Sequence, residues 1–218
     1  MRFGLVLPLL LAFADATPHG EAIDETRWKD GDFVAVANQP LHRLFDAGDT
    51  VGLQISGRGE SCLLRRRSYP LKLPCLLTFR VRVSNERFSN AFPSLHVVFE
   101  PPDPADPWWK EPTVNGGRYW KGRMTFLFHF STTGNWRQMG MTEELESAPV
   151  THAFSPRRDR WIDLSIRLES DAITVYERTA TLGTVKANLS MFSGFTYGIG
   201  DQTSTFVELA AFRCASDP

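Results

Sequence analysis

Short runs in which every second residue is apolar recur along the chain, and they constrain its fold more than any other feature. In "TFRVRV", Phe79, Val81 and Val83 alternate with Arg80 and Arg82. Successive side chains of a β-strand point to opposite faces, so a period of two predicts strands with one apolar and one polar face. The same alternation occurs in "SLHVVFE", "MTFLFHFS" and "WIDLSIRLE", whereas amphipathic helical windows are nearly absent.

Further strand candidates lie on both sides of these runs. They are "DFVAVAN", "TVGLQIS", "SCLLRR", "ITVYE", "FTYGIG" and "FVELAAFRC". "ITVYE" follows "WIDLSIRLE" across Ser170 and Asp171, a turn-compatible pair that predicts a hairpin. About ten short strands without a clear βαβ alternation are typical of an antiparallel sandwich or barrel. We therefore expect an all-β jelly-roll sandwich.

Length and charge limit the domain count and the partners. A chain of 218 residues with 42% hydrophobic residues can bury a substantial core, and all-β domains often reach this length. We therefore predict a single sandwich domain over residues 17–218. The formal net charge is -1, so the chain has no overall field that would attract nucleic acid or an anionic membrane.

The N-terminus has the layout of a secretory signal. One arginine precedes an apolar run from Leu5 to Phe13, and Ala14-Asp15-Ala16 follows the small-x-small rule for signal peptidase. We predict a signal peptide over residues 1–16, cleaved after Ala16, and a secreted or periplasmic protein. The alternative is that this run forms a buried strand or helix. No other stretch approaches the ~20 apolar residues of a membrane-spanning helix.

Export to an oxidising compartment would allow two of Cys62, Cys75 and Cys214 to form a disulfide. Cys62 with Cys75 would close a local loop, whereas either of them with Cys214 would tie an early strand to the last one. The spacing of the three is unlike a zinc site. We predict no cofactor, and Asp201 in "GIGDQTS" is a single candidate ligand for calcium.

Two insertions interrupt the strand rhythm. The first runs from Pro101 to Gly122 and is rich in proline and glycine. The second follows "FHFS", and a short helical turn is expected in it around Glu143 to Glu146. Long loops in compact domains are often functional, and aromatic residues disfavour disorder. The aromatic residues of the two insertions are Trp108, Trp109, Tyr119, Trp120 and Trp136. We predict that the tryptophans bind carbohydrate, since aromatic rings stack on sugar rings; the alternative is a satellite core.

The segments "GLQISGRGESCLLRRRSY", "LTFRVRV", "RWIDLSIRLESDAITVYE" and "FTYGIGDQTSTFVELAAFR", in this order, resemble the concanavalin A-like lectin and glucanase superfamily. The shared features are a tryptophan-led strand before a hairpin, then a Gly-x-Gly segment and a closing strand that returns beside the N-terminal one. The resemblance implies two curved sheets whose concave face binds glycans in many members. The acidic motif of laminarinase-like hydrolases and the lysine-bearing strand of alginate-lyase-like members are missing here.

His129 interrupts a row of phenylalanines. If Phe126, Phe128 and Phe130 face the space between the sheets, His129 faces the other way. The same alternation of faces places four more polar residues away from the core: Arg80, Arg82, His96 and Glu100. If these strands share one sheet, the five residues form a polar glycan-binding floor. The alternatives are a solvated convex face, or strands that lie in different sheets.

Two kinds of catalysis are compatible with this set. A polysaccharide lyase would use Arg80 or Arg82 to neutralise a uronate, His96 or His129 as base, and Tyr119 as acid. A glycosidase would need two carboxylates, and Glu100 with one of the three glutamates at positions 143, 144 and 146 is the candidate pair.

We therefore predict a secreted sandwich that binds or degrades a polysaccharide on a concave face rimmed by tryptophans. The alternative is a cell-surface structural or adhesion domain without enzymatic activity. Arg65 to Arg67 form a basic run that is either a contact for an anionic glycan or a simple surface patch.

Overall fold

The structure is a computed structural model that describes residues 22–37, 41–56, 61–83, 94–100, 125–130, 137–141, 160–201 and 206–216. These ranges contain fifteen strands and no helix. The strands are β1 (Ile23–Glu25), β2 (Phe33–Ala37), β3 (Leu41–Asp46), β4 (Val51–Ser56), β5 (Ser61–Arg65), β6 (Tyr69–Pro70), β7 (Cys75–Val83), β8 (Ser94–Glu100), β9 (Thr125–Phe130), β10 (Arg137–Met141), β11 (Ile162–Leu168), β12 (Ala172–Glu177), β13 (Ala180–Lys186), β14 (Gly194–Asp201) and β15 (Phe206–Ser216).

The strands form two sheets that pack face to face. The larger sheet has eight strands in the order β13-β12-β11-β7-β15-β4-β3, with β1 pairing β15 as well. The smaller sheet has seven in the order β10-β9-β8-β14-β5-β2, with β6 beside β14. Every pairing between described strands is antiparallel. The predicted antiparallel sandwich is confirmed. The side of each sheet that points away from the other is called its outer face below.

The alternation of apolar and polar residues along each strand predicts correctly which side chains fill the space between the sheets. In β11, Ile162, Leu164, Ile166 and Leu168 are buried, whereas Asp163 is exposed. In β7 and β9 the core side chains are likewise the alternate ones, including Phe79, Phe126 and Phe128, all without solvent exposure. Burial of such a row removes apolar surface from water, which is the main favourable contribution to folding.

Aromatic rings from both sheets meet in the middle of the core. Tyr197 of β14 stacks on Phe212 of β15, with ring centroids 4.1 Å apart. Phe79 and Tyr69 pack on Phe212 at 5.2 and 5.4 Å, and Phe195 approaches it edge-on at 6.3 Å. Since β14 and β15 are central strands of their sheets, this cluster joins the two layers.

The closing strand returns to the N-terminal one, as predicted. β15 pairs β1 through the register Ile23 to Cys214 and Glu25 to Phe212. The predicted hairpin is also present, because β11 pairs β12 across Ser170 and Asp171. β7 lies between them in the larger sheet, because it pairs both β11 and β15.

Five strands are absent from the sequence prediction: β1, β3, β6, β10 and β13. β10 lies inside the second predicted insertion, whose description as an irregular segment is therefore wrong at residues 137–141. Its sequence, "RQMGM", has neither β-branched residues nor a clear period. Pairing with the regular strand β9 is what orders it, which is a tertiary effect that local sequence does not encode.

The predicted signal peptide, residues 1–16, lies outside the described residues. The same is true of the expected helical turn around Glu143 to Glu146. Within the described ranges, no helix has the length and apolar character needed to cross a bilayer.

Gly198 of β14 allows two strands of the smaller sheet to approach closely. A Cβ atom at this position would lie 2.1 Å from the carbonyl oxygen of Leu63 and 2.4 Å from Leu64 Cδ2. Neither gap holds a methyl group, and the first neighbour is backbone, which cannot rotate away. We expect Gly198→Ala to lower the free energy of unfolding by about 2 kcal/mol, measured by urea denaturation.

Gly48 provides the matched control. It has open space around its Cα but a φ of +91°, so Gly48→Ala introduces backbone strain without a clash. We expect that variant to lose only about 1 kcal/mol. Equal losses for the two variants would contradict the close approach of β5 and β14.

Candidate functional site

His96 and Glu100 lie on the outer face of the smaller sheet, as parity predicts. Their strand, β8, carries Leu95, Val97 and Phe99 on its core side. Ser94, His96 and Glu100 alternate along β8 and share this face, and the register pairs Ser94 with the backbone of His129 in β9, whose side chain is not described. We call this set the His96 face.

Arg80 and Arg82 lie elsewhere, and the predicted shared floor is wrong for them. Their strand, β7, belongs to the larger sheet, where it pairs β11 and β15. Both arginines are on the outer face of that sheet, so the full core separates them from His96. Alternation fixes the facing of a side chain within its strand but not the sheet to which the strand belongs.

The remaining predicted site residues lie outside the described residues. They are Trp108, Trp109, Tyr119, Trp120 and Trp136, together with the three glutamates at 143, 144 and 146. Their assigned roles therefore stay predictions, as does the role of Asp201, the candidate calcium ligand at the end of β14.

The His96 face is buried. His96 is 5% exposed and Glu100 is 9% exposed, so the alternative of a solvated convex face does not apply at these two positions. Ser94 Oγ lies 2.6 Å from His96 Nε2, and Cys62 Sγ lies 3.7 Å from Nδ1. Both ring nitrogens thus have protein partners, which satisfies a buried imidazole.

Burial also determines the chemistry of the neighbouring groups on this face. The pKa of the Cys62 thiol is raised because burial disfavours the thiolate. Cys62 therefore stays protonated and is a poor nucleophile. Glu100 accepts a hydrogen bond from Ser68. The arrangement holds polar side chains in fixed positions, and a catalytic base among them would have to give up an existing partner.

An accessible aromatic surface lies on the outer face of the larger sheet. Trp161 and Phe45 are both half-buried, with rings nearly parallel at 8° and centroids 6.4 Å apart. The guanidinium of Arg82 lies 4.5 Å from the Trp161 ring centroid, and that of Arg80 lies 5.7 Å from it. We call these four residues the Trp161 surface.

Local sequence explains how this surface forms. Trp161 directly precedes β11 and is two residues before the outward-facing Asp163. Its ring therefore lies on the same outer face. Phe45 is opposite Gly52, and a Cβ at Gly52 would lie 2.4 Å from the Phe45 ring. The glycine therefore lets the phenylalanine ring lie flat across the sheet.

A row of hydrogen bonds fixes one side of the Trp161 surface. The register aligns Arg43, Gln54, Glu208 and Arg82 across four neighbouring strands. Arg43 Nε donates to Gln54 Oε1 at 2.7 Å, and Gln54 Nε2 donates to Glu208 Oε1 at 2.6 Å. Arg82 Nε donates to the other oxygen of Glu208. Arg82 is therefore held in place over Trp161 before any ligand arrives.

Arg80 has more freedom than Arg82. Its side chain is 40% exposed, and its contact with the exposed Asp49 is 4.0 Å long. A surface contact of this length is worth little, so the Arg80 guanidinium is available to an anionic or polar ligand.

A buried ion pair joins the two sheets at one end of the sandwich. Glu25 of β1 accepts hydrogen bonds from Arg65 Nε at 3.1 Å and Arg65 Nη2 at 3.2 Å. Tyr197 Oη donates to Glu25 Oε2 at 2.7 Å. Sequence analysis assigned no role to Glu25 and treated Arg65 as part of a surface run, whereas both side chains are only 10% exposed.

Environment shifts the pKa values of this network. Burial alone would raise the pKa of Glu25, but hydrogen bonds from Arg65 and Tyr197 and the positive charge of Arg65 outweigh it and lower the pKa. The pKa of Tyr197 is raised, first by burial and also by the nearby carboxylate. The network is therefore ionised at neutral pH, with Glu25 negative and Tyr197 neutral.

A cavity of about 540 Å³ opens next to this ion pair. Its lining includes Glu25, Arg67, Lys72, Cys75 and Cys214. Arg67 is mostly exposed and lies with its guanidinium 5.2 Å from the Tyr69 ring centroid. Among the residues described, no group of three or more His, Cys, Asp or Glu side chains is arranged to hold a metal ion.

Comparison with solved structures identifies the fold. A protein of unknown function with a galectin-like fold from Bacillus subtilis has a TM-score of 0.62, with 9% identity over 91% of this chain and 97% of that one. Lectin II from Ulex europaeus gives 0.58, with 8% identity over 92% and 100%. The exoplasmic/lumenal domain of VIP36 gives 0.56, with 12% identity over 87% and 86%.

These likenesses show that the chain has the concanavalin A-like lectin fold, which confirms the resemblance predicted from the strand layout. No protein-family model matches the chain. No curated protein matches it. At such low identities the solved structures establish the fold, and the activity has to be argued from this chain's own surfaces.

Proposed function

We propose that this chain is an exported carbohydrate-binding protein that contacts a polysaccharide through the Trp161 surface. The fold supports a glycan ligand, since lectin II from Ulex europaeus shares it and the VIP36 domain was solved in a Ca²⁺/Man3GlcNAc-bound form. Cleavage after Ala16 would deliver the mature chain outside the cytoplasm.

One observation carries the proposal: two nearly parallel, half-buried aromatic rings adjoin two arginines on an accessible face. The apolar side of a sugar ring packs on an aromatic ring, which gives affinity at little conformational cost. Guanidinium groups donate to sugar hydroxyls and pair with carboxylates in a fork geometry. A glycan with uronate groups matches this combination best.

The His96 face is the second candidate surface, and chain connectivity favours it. The tryptophan-rich segment from Pro101 to Gly122 joins β8 to β9, the two strands of this face. On its outer side, β14 has glycine at positions 194, 198 and 200, so only Thr196 projects from it. The sequence predicts a polar floor that includes His96 and Glu100 and is rimmed by the tryptophans, and the small residues of β14 would leave room for a ligand beside it.

The geometry supports binding of a polysaccharide without its cleavage. A lyase built from Arg80 or Arg82 with His96 or His129 would need both groups at one sugar, but the core lies between the two sheets' outer faces. A hydrolase that uses Glu100 and a carboxylate from the region of residues 143–146 stays a prediction.

The test is a glycan array followed by titration of the best ligand. We expect Trp161→Ala to weaken binding about tenfold or more, which corresponds to about 1.4 kcal/mol, because the ring is the main apolar contact. Met191→Ala, which shortens an exposed apolar side chain, serves as the matched control and should bind as the wild type does.

Other outcomes separate the alternatives. Loss of binding in His96→Ala but not in Trp161→Ala, with both variants folded, would transfer the site to the His96 face. Release of unsaturated product from uronate polysaccharides would replace a binding protein with a lyase. Loss of binding in a calcium chelator would support a calcium ion near Asp201. No binding to any glycan would favour a structural or adhesion domain.

A further inference from the structure

Cys75 and Cys214 lie beside each other on neighbouring strands. In the pairing of β7 with β15, Leu77 is opposite Cys214 and Cys75 is opposite Ser216. The two cysteines are therefore diagonal neighbours on an antiparallel pair. Both belong to the core side of the larger sheet, where Cys75 is buried and Cys214 packs against the core.

Cys214 is only half-buried, so solvent reaches the pair through this residue, whereas Cys75 is buried. A hydrogen bond from Cys75 holds the pKa of Cys214 below its usual value, since it stabilises the thiolate. Both residues line the cavity of about 540 Å³ described above, together with the cationic Arg67 and Lys72. Cations near a thiol favour its reactive form.

Cys62 is excluded as the partner of either residue. It lies on the outer face of the smaller sheet, opposite Gly200 and next to His96. The two other cysteines lie on the core side of the larger sheet, so the core interior separates them from Cys62. Of the three pairings that the sequence leaves open, only Cys75 with Cys214 fits the fold.

We propose that Cys75 and Cys214 form a disulfide bond in an oxidising environment and that Cys62 is the remaining free thiol. No disulfide joins the three cysteines, all of which lie in the described part of the chain. The bond would tie the last strand of the larger sheet to β7 and close a loop that contains β7 through β15.

Thiol-disulfide exchange supplies the chemistry. The Cys214 thiolate attacks a sulfur of oxidised glutathione, forms a mixed disulfide and releases one glutathione thiolate, which takes up a proton. The Cys75 thiol then loses its proton and attacks the Cys214 sulfur, and the second glutathione leaves as the thiol. Two protein thiols are oxidised by two electrons in total, and one glutathione disulfide is reduced to two thiols.

The bond would stabilise one end of the sandwich. The end of β15 also pairs β1, which carries Glu25 of the buried ion pair. A long closed loop restricts the unfolded chain strongly, so the oxidised form should resist unfolding more than the reduced form. For a chain of this size we expect Tm to rise by about 5 °C or more on oxidation.

The test treats the full chain with oxidised glutathione, denatures it, alkylates the free thiols and maps the peptides by mass spectrometry without reduction. We expect one alkylated cysteine, Cys62, and one peptide pair linked through Cys75 and Cys214. Cys62→Ser should keep the linked pair and the rise in Tm, whereas Cys214→Ser should lose both.

Three alkylated cysteines after oxidation, or a bond that includes Cys62, would overturn the proposal. If Cys214→Ser fails to fold, wild type and Cys62→Ser still decide the question, because each gives a peptide map of its own. If the linked pair forms but Tm is unchanged, the proposal that the bond stabilises this end of the sandwich is wrong.

Discussion

Replacing Arg65 with alanine is expected to lower the free energy of unfolding by about 3 kcal/mol, one of the two largest effects for a single substitution in this chain. The variant leaves the Glu25 carboxylate buried at 10% exposure without its two hydrogen bonds from the guanidinium. Desolvation of a poorly paired charge is costly, and the remaining contacts, a hydrogen bond from Tyr197 and the mostly exposed Arg67 at 3.7 Å, do not replace the two-pronged partner. Guanidinium chloride unfolding measures the loss.

Acidification should lower the free energy of unfolding of the wild-type protein through the same carboxylate, Glu25. The pKa of Glu25 is lower in the folded state than in the unfolded chain, so the ionised carboxylate contributes stability above its unfolded pKa. As the pH falls below the unfolded pKa, near 4.3, and then through the lower folded pKa, that contribution is lost progressively. Unfolding curves between pH 7 and pH 3 should show this decline, and Glu25→Gln should reduce it.

The neighbouring arginine is the control for this prediction. Arg66 has the same chemistry and the next position in the run, but it is exposed. Arg66→Ala should change stability by no more than about 0.5 kcal/mol. Arg65→Lys keeps a charge but not the two-pronged contact, so we expect an intermediate loss. Equal stabilities of Arg65→Ala and Arg66→Ala would show that the ion pair contributes little.

Strand periodicity was enough to predict the fold class and most of the strands. Alternation in "WIDLSIRLE" and "TFRVRV" reflects one buried and one outward face, so a period of two carries the burial pattern directly. The short strands β1 and β6 and the irregular β10 carry no such pattern. They are ordered by pairing with longer neighbours, which local sequence does not encode.

Alternation along a strand predicts the face of each candidate site residue but not the sheet to which its strand belongs. His96 and Glu100 do share an outer face, yet Arg80 and Arg82 belong to the other sheet. Neighbour order depends on the whole topology, in which β7 joins β11 and β15 rather than β8. Pairing of residues that are distant in sequence cannot be read from one strand at a time.

The sequence pattern does not predict the Glu25–Arg65 ion pair, for a related reason. In "SCLLR", consecutive apolar residues hide the period of two, so the inward position of Arg65 is not evident. Glu25 lies in a strand of only three residues. A buried carboxylate next to a buried guanidinium becomes visible only once both strands are placed in their sheets.

The second large effect is expected for Phe212→Ala, which should lose about 4 kcal/mol of unfolding free energy. Phe212 is fully buried and contacts Tyr69, Phe79, Phe195 and Tyr197. Its removal loses the transfer free energy of the ring, leaves a cavity between the sheets and removes the aromatic pairs. Thermal and denaturant unfolding measure the change.

Phe212→Leu fills most of the same volume and should lose roughly 1.5 kcal/mol or less. Met191→Ala shortens a side chain that is 54% exposed and should be nearly neutral. A loss of less than about 2 kcal/mol for Phe212→Ala would mean that the core collapses to fill the gap, and the aromatic cluster would not be what joins the sheets.

The two large effects should not be independent, because Tyr197 takes part in both. Its ring stacks on Phe212 at 4.1 Å, and its hydroxyl donates to Glu25 at 2.7 Å. Loss of Phe212 frees the Tyr197 ring to move, which weakens the hydrogen bond that supports the Arg65 ion pair. The double variant of Arg65 and Phe212 should therefore depart from additivity by about 0.5 kcal/mol or more, whereas Arg65→Ala combined with Met191→Ala should be additive. Strict additivity in the first pair would show that core and ion pair act separately.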